Sequence, residues 1–309
     1  MAFLAVLLPT LFWDRPPETA DALRKAGIER LYVPAGREQA WRKLGFAATA
    51  FDRAHAVQAV APKVEYHMDV ASATRVPWVD ANGWRFEREP GRSFLYDLPA
   101  GTAALAAAEA SAYGVDAAIR ATPEDLASFG QMLKFIGEID QPRLPVRANI
   151  GVTNDGSDTI AEVLNLLARH NLLFHVVPSA DPKYDLNIRN VPEGANPYDF
   201  AMKVRHDLTD EKRLVRIYGS NVVLVRLTGD ATQARVYLLN YGSAAVKGLR
   251  VRVLGAYPRG KLAAFGRASA ALADYSVEEQ ATEFTIPDMG TYTVVDLRFT
   301  QQTIGTEPD

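Results

Sequence analysis

The feature that most constrains this chain is a change of pattern part-way along it. Up to residue 205 short apolar runs alternate with helical stretches, and from Leu214 to Phe299 strand follows strand. The first pattern belongs to α/β layers and the second to antiparallel β-structure, so one chain holds both. At 309 residues with 48% apolar and 23% charged residues, it has enough material for a full-sized core or two.

The α/β part opens on Ala2–Phe12, which is apolar but has no basic start, contains Pro9, and runs into Trp13-Asp14-Arg15-Pro16-Pro17 without a small-residue cleavage site. It reads as a first buried strand, centred on Phe3–Leu8, and not as a signal peptide. On that reading the protein is soluble and cytoplasmic, or periplasmic or secreted if a leader was removed. No other run reaches the ~20 apolar residues a membrane helix needs, so no membrane partner is expected.

Helix and strand signals then alternate. Expected strands are Arg30–Val33, Ala47–Phe51, Lys63–Met68, Ser93–Leu98, Val115–Ala121, Val146–Val152, Leu173–Val177 and Tyr184–Ile188. Expected helices are Glu18–Ala26, Gln39–Leu44, Arg53–Val60, Thr102–Tyr113, Pro123–Glu138, Asp158–His170 and Asn196–His206, several with Pro at the start and Gly at the stop. Between Val70 and Arg92 the alternation fails for longer than an ordinary connection, which points to a functional loop or a small hairpin. Eight or so strands alternating with helices fit a compact (β/α)8-barrel-like domain over residues 1–205, and a competing reading makes 146–205 a separate flavodoxin-like unit. Residues 206–309 carry period-two runs separated by turns such as Tyr218-Gly219-Ser220-Asn221 and read as an antiparallel β-sandwich.

Composition excludes several kinds of function. With no cysteine there are no disulfides, thiolate metal sites or Cys nucleophile. A net charge of −3 with both signs interspersed gives no extended positive field for nucleic acid. Neither a Gly-rich phosphate loop nor a nucleophile-elbow motif is present. His67, in Glu65-Tyr66-His67-Met68-Asp69, could bind a metal with Glu65 or Asp69, but the five histidines show no ligand spacing. No metal and no cofactor are expected.

In parallel α/β layers, ligands sit at the carboxyl ends of the strands. Those positions hold Asp14, Pro34, Asp52, His67 with Asp69, Asp97, Arg120, Asn154 with Asp155, and Ser179 with Asp181. Several carboxylates and an arginine on one rim suit glycosidic-bond chemistry, where one acid protonates the leaving oxygen and a second carboxylate acts as nucleophile or base. Asp14, Asp69, Asp97 and Asp155 are the candidate catalytic set. Arg120, Asn154 and His67 are candidate substrate contacts, with Trp13, Trp78 and Trp84 as stacking platforms for the apolar faces of sugar rings. Each of these residue types also has a plain structural use, Asp and Asn as helix caps and Trp in packing.

The stretches Ala234–Gly248 (ARVYLLNYGSAAVKG) and Glu283–Leu297 (EFTIPDMGTYTVVDL) resemble the β-sandwich that follows the barrel in many bacterial glycoside hydrolases. FWDRPPETADALRKAGIERLYVP and VDANGWRF resemble a shortened barrel of the same group. The resemblance implies a carbohydrate or oligosaccharide partner. In the large barrel clan of these enzymes an Asn-Glu pair ends the fourth strand and a second Glu ends the seventh; here those places hold Met68-Asp69 and Asn154-Asp155, so no catalytic residue carries over. Either aspartates serve, or the chain keeps a sugar-binding rim without catalysis. An exposed sheet edge also makes a homo-oligomer an expected form.

Overall fold

The computed structural model describes residues 9–68, 75–267, 271–278 and 280–299, with the side chains of 67, 68, 75 and 76 left aside. The expected strand Phe3–Leu8 and the candidate Asp69 lie outside the described residues.

The first unit runs β1 (Thr10–Phe12), α1 (Ala20–Lys25), β2 (Arg30–Val33), α2 (Glu38–Lys43), β3 (Ala47–Ala50), β4 (Val57–Ala59), β5 (Lys63–Met68), β6 (Arg75–Asp80), α3 (Gly83–Arg88), β7 (Phe94–Asp97), α4 (Ala103–Tyr113), β8 (Ala117–Arg120) and α5 (Leu126–Glu138). Six of these strands form a sheet in the order β3-β2-β1-β8-β7-β4, with every pairing parallel. Side chains on a strand point to alternate faces, and the burial follows that rule. Leu11, Leu31, Phe94, Tyr96 and Ile119 pack with Leu23, Trp41, Phe129 and Met132 of the helices. Phe12, Leu95 and Ala118 point the other way and, among the described residues, cluster with Phe51, Tyr32 and Ala56. Among the described residues the packed helices therefore cover one face, unlike a doubly wound sheet, which carries helices on both.

Two expectations are corrected here. Arg53–Val60 is no helix: Val57–Ala59 is drawn into the sheet as β4, where Val57 pairs with Phe94 and Ala59 with Tyr96. Tertiary pairing outweighs a weak helical propensity. Lys63–Met68 is a strand but joins no parallel sheet; it pairs antiparallel with β6 as a two-stranded hairpin. The long interval before Arg92 thus carries a hairpin arm and α3.

The next stretch holds β9 (Ile150–Thr153), α6 (Asp158–Arg169), β10 (Phe174–Val177), β11 (Leu186–Ile188) and α7 (Pro197–Lys212). Its three strands make a separate parallel sheet, β10-β9-β11, packed by Ile150, Val152, Ile160, Leu164 and Leu167. The Ser157 hydroxyl accepts from Ile160 N at 3.1 Å to cap α6, and Asn196 caps α7 ahead of Pro197.

The last stretch is β12 (Val215–Tyr218), β13 (Val223–Gly229), β14 (Gln233–Asn240), β15 (Val246–Leu254), β16 (Arg259–Ala264), β17 (Ala273–Glu278), β18 (Ala281–Met289) and β19 (Tyr292–Arg298). They form two antiparallel sheets, β12-β15-β18-β17 and β13-β14-β19-β16. Val236, Leu238 and Val295 belong to the core shared by the two antiparallel sheets, while Tyr237, Leu239, Tyr292 and Val294 belong to the same core as α4 and α5. Strands β13, β14 and β19 of this second sheet are largely buried on both faces, which is why Val236–Leu239 in β14 runs apolar without alternation. Its outer strand β13 is covered too: Arg147 N donates to Leu227 O at 2.9 Å, Gly229 N to Pro145 O at 2.8 Å, and the Asn171 side chain bonds Val223 O and Val225 N. Capping an edge in this way removes a template for unwanted pairing.

Candidate functional site

At the carboxyl edge of the six-stranded sheet, neighbouring strands deliver three charged residues to one place. Arg120 ends β8, the strand lying between β1 and β7; Asp14 follows β1 and Asp97 ends β7. The guanidinium bridges the two acids: Nε donates to Asp14 Oδ2 at 3.1 Å, and Nη1 to both Asp97 oxygens at 3.2 and 3.1 Å. Arg120 is about two-fifths exposed, Asp14 a third and Asp97 half, so the trio lies at the surface. With Arg15, Leu98, Ala121 and Thr122 it lines an open depression of about 180 Å³. That is smaller than the ~300–1,000 Å³ of a site that engulfs a ligand, so it suits contact with one face or edge of a molecule.

The other candidates sit elsewhere. Asp155 and Asn154 follow β9, which belongs to the separate three-stranded sheet. Asp155 accepts from Ser157 N at 2.8 Å, and its bonds to Ser157 hold its carboxyl below the usual range. Asn154 accepts from Gly156 N at 3.1 Å and from Arg88 Nε at 3.3 Å. Both make turn contacts of the kind Asx residues favour. Trp13 is only 2% exposed, its Nε1 donating to Thr19 Oγ1 at 2.8 Å, so it offers no face for stacking. The residue after Phe12 faces the helices. Trp78 lies on β6 beneath the Arg169 guanidinium at 3.5 Å, and Trp84 on α3 beneath Arg85 at 4.2 Å while packing on the α6 core. One face of each ring is covered by a guanidinium. His67 lies on β5, and its side chain is outside the described set. Among the described residues no group of three or more His, Asp or Glu could hold a metal, and no helix is long and apolar enough to cross a membrane.

Sequence reasoning missed a carboxylate on α4. Glu109 is fully buried and accepts four hydrogen bonds: Asn82 N at 2.6 Å, Asn82 Nδ2 at 2.9 Å, Tyr96 OH at 2.7 Å and Tyr241 OH at 2.6 Å. Burial and the adjacent Glu109 charge push both tyrosine hydroxyls well above their usual range. The donors come from the α3 entry, β7 and the turn after β14, so this carboxylate ties the parallel sheet, its helix layer and the antiparallel sheets together. It is enclosed by protein and has no route to a ligand. The only trace in the sequence is one acid in an alanine-rich helix. A small pocket where α3, α6 and β13 meet around Glu87 and Arg226 holds about 30 Å³, room for roughly one water.

Comparison with known proteins bears on the fold. No protein-family model matches the chain, and no curated protein matches it. Solved structures do. The α-L-fucosidase isoenzyme 2 from Paenibacillus thiaminolyticus superposes with a TM-score of 0.51 at 10% identity, over 88% of this chain and 68% of the fucosidase. The GH42 β-galactosidase Gan42B matches at TM-score 0.34 and 10% identity, over 94% of this chain and 60% of its own. A GH30 endoxylanase from Clostridium papyrosolvens matches at 0.24 and 10%, over 94% and 91%. Of these three, the fucosidase likeness is the one strong enough to carry an argument, and at 10% identity it speaks to the fold. The fold is glycoside-hydrolase-like.

Proposed function

We propose that this protein recognises carbohydrate at the carboxyl edge of its parallel sheet, using a glycosidase-like fold for binding and not for bond cleavage. The observation that carries this reading is the Asp14–Arg120–Asp97 bridge. Hydrolysis needs one carboxyl to give a proton to the leaving oxygen while a second attacks or activates water. Here both rim carboxylates accept from the same guanidinium. Planar carboxylates and a guanidinium fork, fixed against one another, are suited to bonding sugar hydroxyls in a defined orientation. The six-stranded wall then corresponds to a shortened (β/α)8-type barrel open between β3 and β4, with residues 206–309 as the appended sandwich and 146–205 as a small unit between them.

Titration calorimetry against a panel of oligosaccharides tests the reading. Binding is expected for the wild type, and Arg120→Ala should weaken it at least about tenfold, the effect of roughly one lost charge-assisted contact. Unchanged binding by this variant, with its circular dichroism spectrum intact, overturns the assignment. A glycosidase remains the second reading, because Asp14 and Asp97 enter an open depression from strands only two apart. Release of product from aryl glycosides that disappears in Asp97→Asn, while sugar binding persists, would establish hydrolysis in place of binding alone.

A further inference from the structure

The two acids of the Asp14–Arg120–Asp97 bridge are held in place by different means. Asp97 is the last residue of β7 and the register partner of Arg120 on β8, so the parallel ladder itself sets its backbone beside the guanidinium. Asp14 lies past the end of its strand. Pairing of β1 with β2 stops at Phe12 and Tyr32, and beyond it the Trp13 N–H adds one more bond, donating to Tyr32 O at 2.8 Å.

The turn that leaves β2 supplies the missing support. In Pro34-Ala35-Gly36-Arg37 the Arg37 N–H donates to Pro34 O at 3.1 Å, and Gly36 has φ +85°. A positive φ at the third position marks a type II turn, and glycine takes it without strain. The turn ends at the entry to α2, and from there the Arg37 side chain reaches back to β1: its Nη1 donates to the Asp14 carbonyl oxygen at 2.7 Å. Among the described residues Arg37 forms no ion pair, and this bond is charge-assisted. On the amino side, Trp13 is buried, its Nε1 donates to Thr19 Oγ1 at 2.8 Å, and Thr19 Oγ1 donates to Pro16 O at 2.7 Å. Asp14 is thus pinned before by Trp13 and behind by Arg37. Its Oδ2 then stands 3.1 Å from both Nε and Nη2 of Arg120.

We propose that Arg37 is a positioning residue for this site: by holding the Asp14 carbonyl it fixes the Asp14 carboxylate against Arg120, so that the bridge is complete before a sugar binds. Groups ordered in advance bind more tightly, because ordering them on binding costs free energy. Arg37 does not line the depression and acts through Asp14. The proposal rests on the carbohydrate reading above and adds a residue that serves it from outside the site.

The test compares wild type, Arg37→Ala and Arg37→Lys. Arg37 is exposed, so both variants are expected to fold. Without ligand, NMR follows the Arg120 Nε–H, which Asp14 holds, and the Trp13 indole N–H, which Thr19 holds in the same segment. In Arg37→Ala the Arg120 signal should exchange with solvent about tenfold faster, while the Trp13 signal and the thermal midpoint stay as in wild type. Calorimetry with maltotriose, xylotriose and fucosyllactose should show affinity for any probe the wild type binds falling about fivefold in Arg37→Ala and partly returning in Arg37→Lys. Added to Asp14→Ala, the Arg37→Ala change should cost no further affinity, since both act on one interaction. An Arg120 signal or an affinity that is unchanged in Arg37→Ala overturns the proposal and leaves the carbohydrate reading standing. A Trp13 signal and midpoint that move together with Arg120 show a general structural role and overturn it too. Wild type that binds none of the three probes overturns the carbohydrate reading, and the Arg120 signal still decides whether Arg37 positions Asp14.

Discussion

Two side chains show how single positions set stability here. Glu109 satisfies four donors from three parts of the chain, and a buried donor left without an acceptor costs about 1–3 kcal/mol. Glu109→Gln turns an amide NH₂ toward donors and should lower stability by about 3 kcal/mol or more, read as a shift in the urea midpoint; Tyr241→Phe, which removes one donor, should cost about 1 kcal/mol. His170, at the end of α6, is held down to about 4 by burial first and then by the charges of Arg205, Arg169 and Arg213. The unfolded chain takes up this proton near the ordinary 6.5, before the folded one does, so stability should fall as pH drops from about 6.5 to about 4 and then stop changing on its account. His170→Gln should flatten that part of the stability profile. None of this was legible from residue type: an acid in a helix and a histidine after one look the same whether they face solvent or core.

At the scale of elements, sequence pattern located most pieces and misjudged their partners. Arg30–Val33 and Val215–Tyr218 appear with the expected bounds because period-two apolar runs between turn residues have few alternatives. Lys63–Met68 was legible as a strand, yet its antiparallel partner β6 sat in an interval with no clear pattern. The strand β17 carries mixed burial and gave no period to find. Close helix contact is equally hidden. Gly130 on α5 lies so near the end of α1 that a Cβ would overlap the carbonyl oxygen of Ala26. Gly130→Ala should therefore destabilise by about 1–3 kcal/mol despite its better helix propensity, with the loss visible as a lower thermal midpoint.

Across the whole molecule, one core joins what the pattern change divides. Tyr237, Leu239 and Tyr292 of the antiparallel strands pack with α4 and α5, and the buried Arg235, paired with Asp296 at 2.6 Å, also donates to the Asp140 carbonyl. All four tryptophans precede β9, whereas most strand content follows α7. Urea unfolding followed by tryptophan fluorescence and by far-ultraviolet circular dichroism should thus give coincident transitions; separated midpoints would show that the shared core does not couple the parts. The candidate rim divides in the same way. That aspartates and an arginine stand after strands was readable in the chain, because helix and strand periods mark where strands stop. Which of them meet was not, since β1, β8 and β7 become neighbours only through pairing between residues about 20 to 110 positions apart. Sequence alone determined the α/β-then-β order and the residue types at the strand ends. The tertiary structure decided that Arg120 holds Asp14 and Asp97, that Trp13 faces inward, and that the antiparallel sheets and the parallel sheet share one interior, because sheet order and side-chain direction depend on long-range packing that local periodicity does not encode.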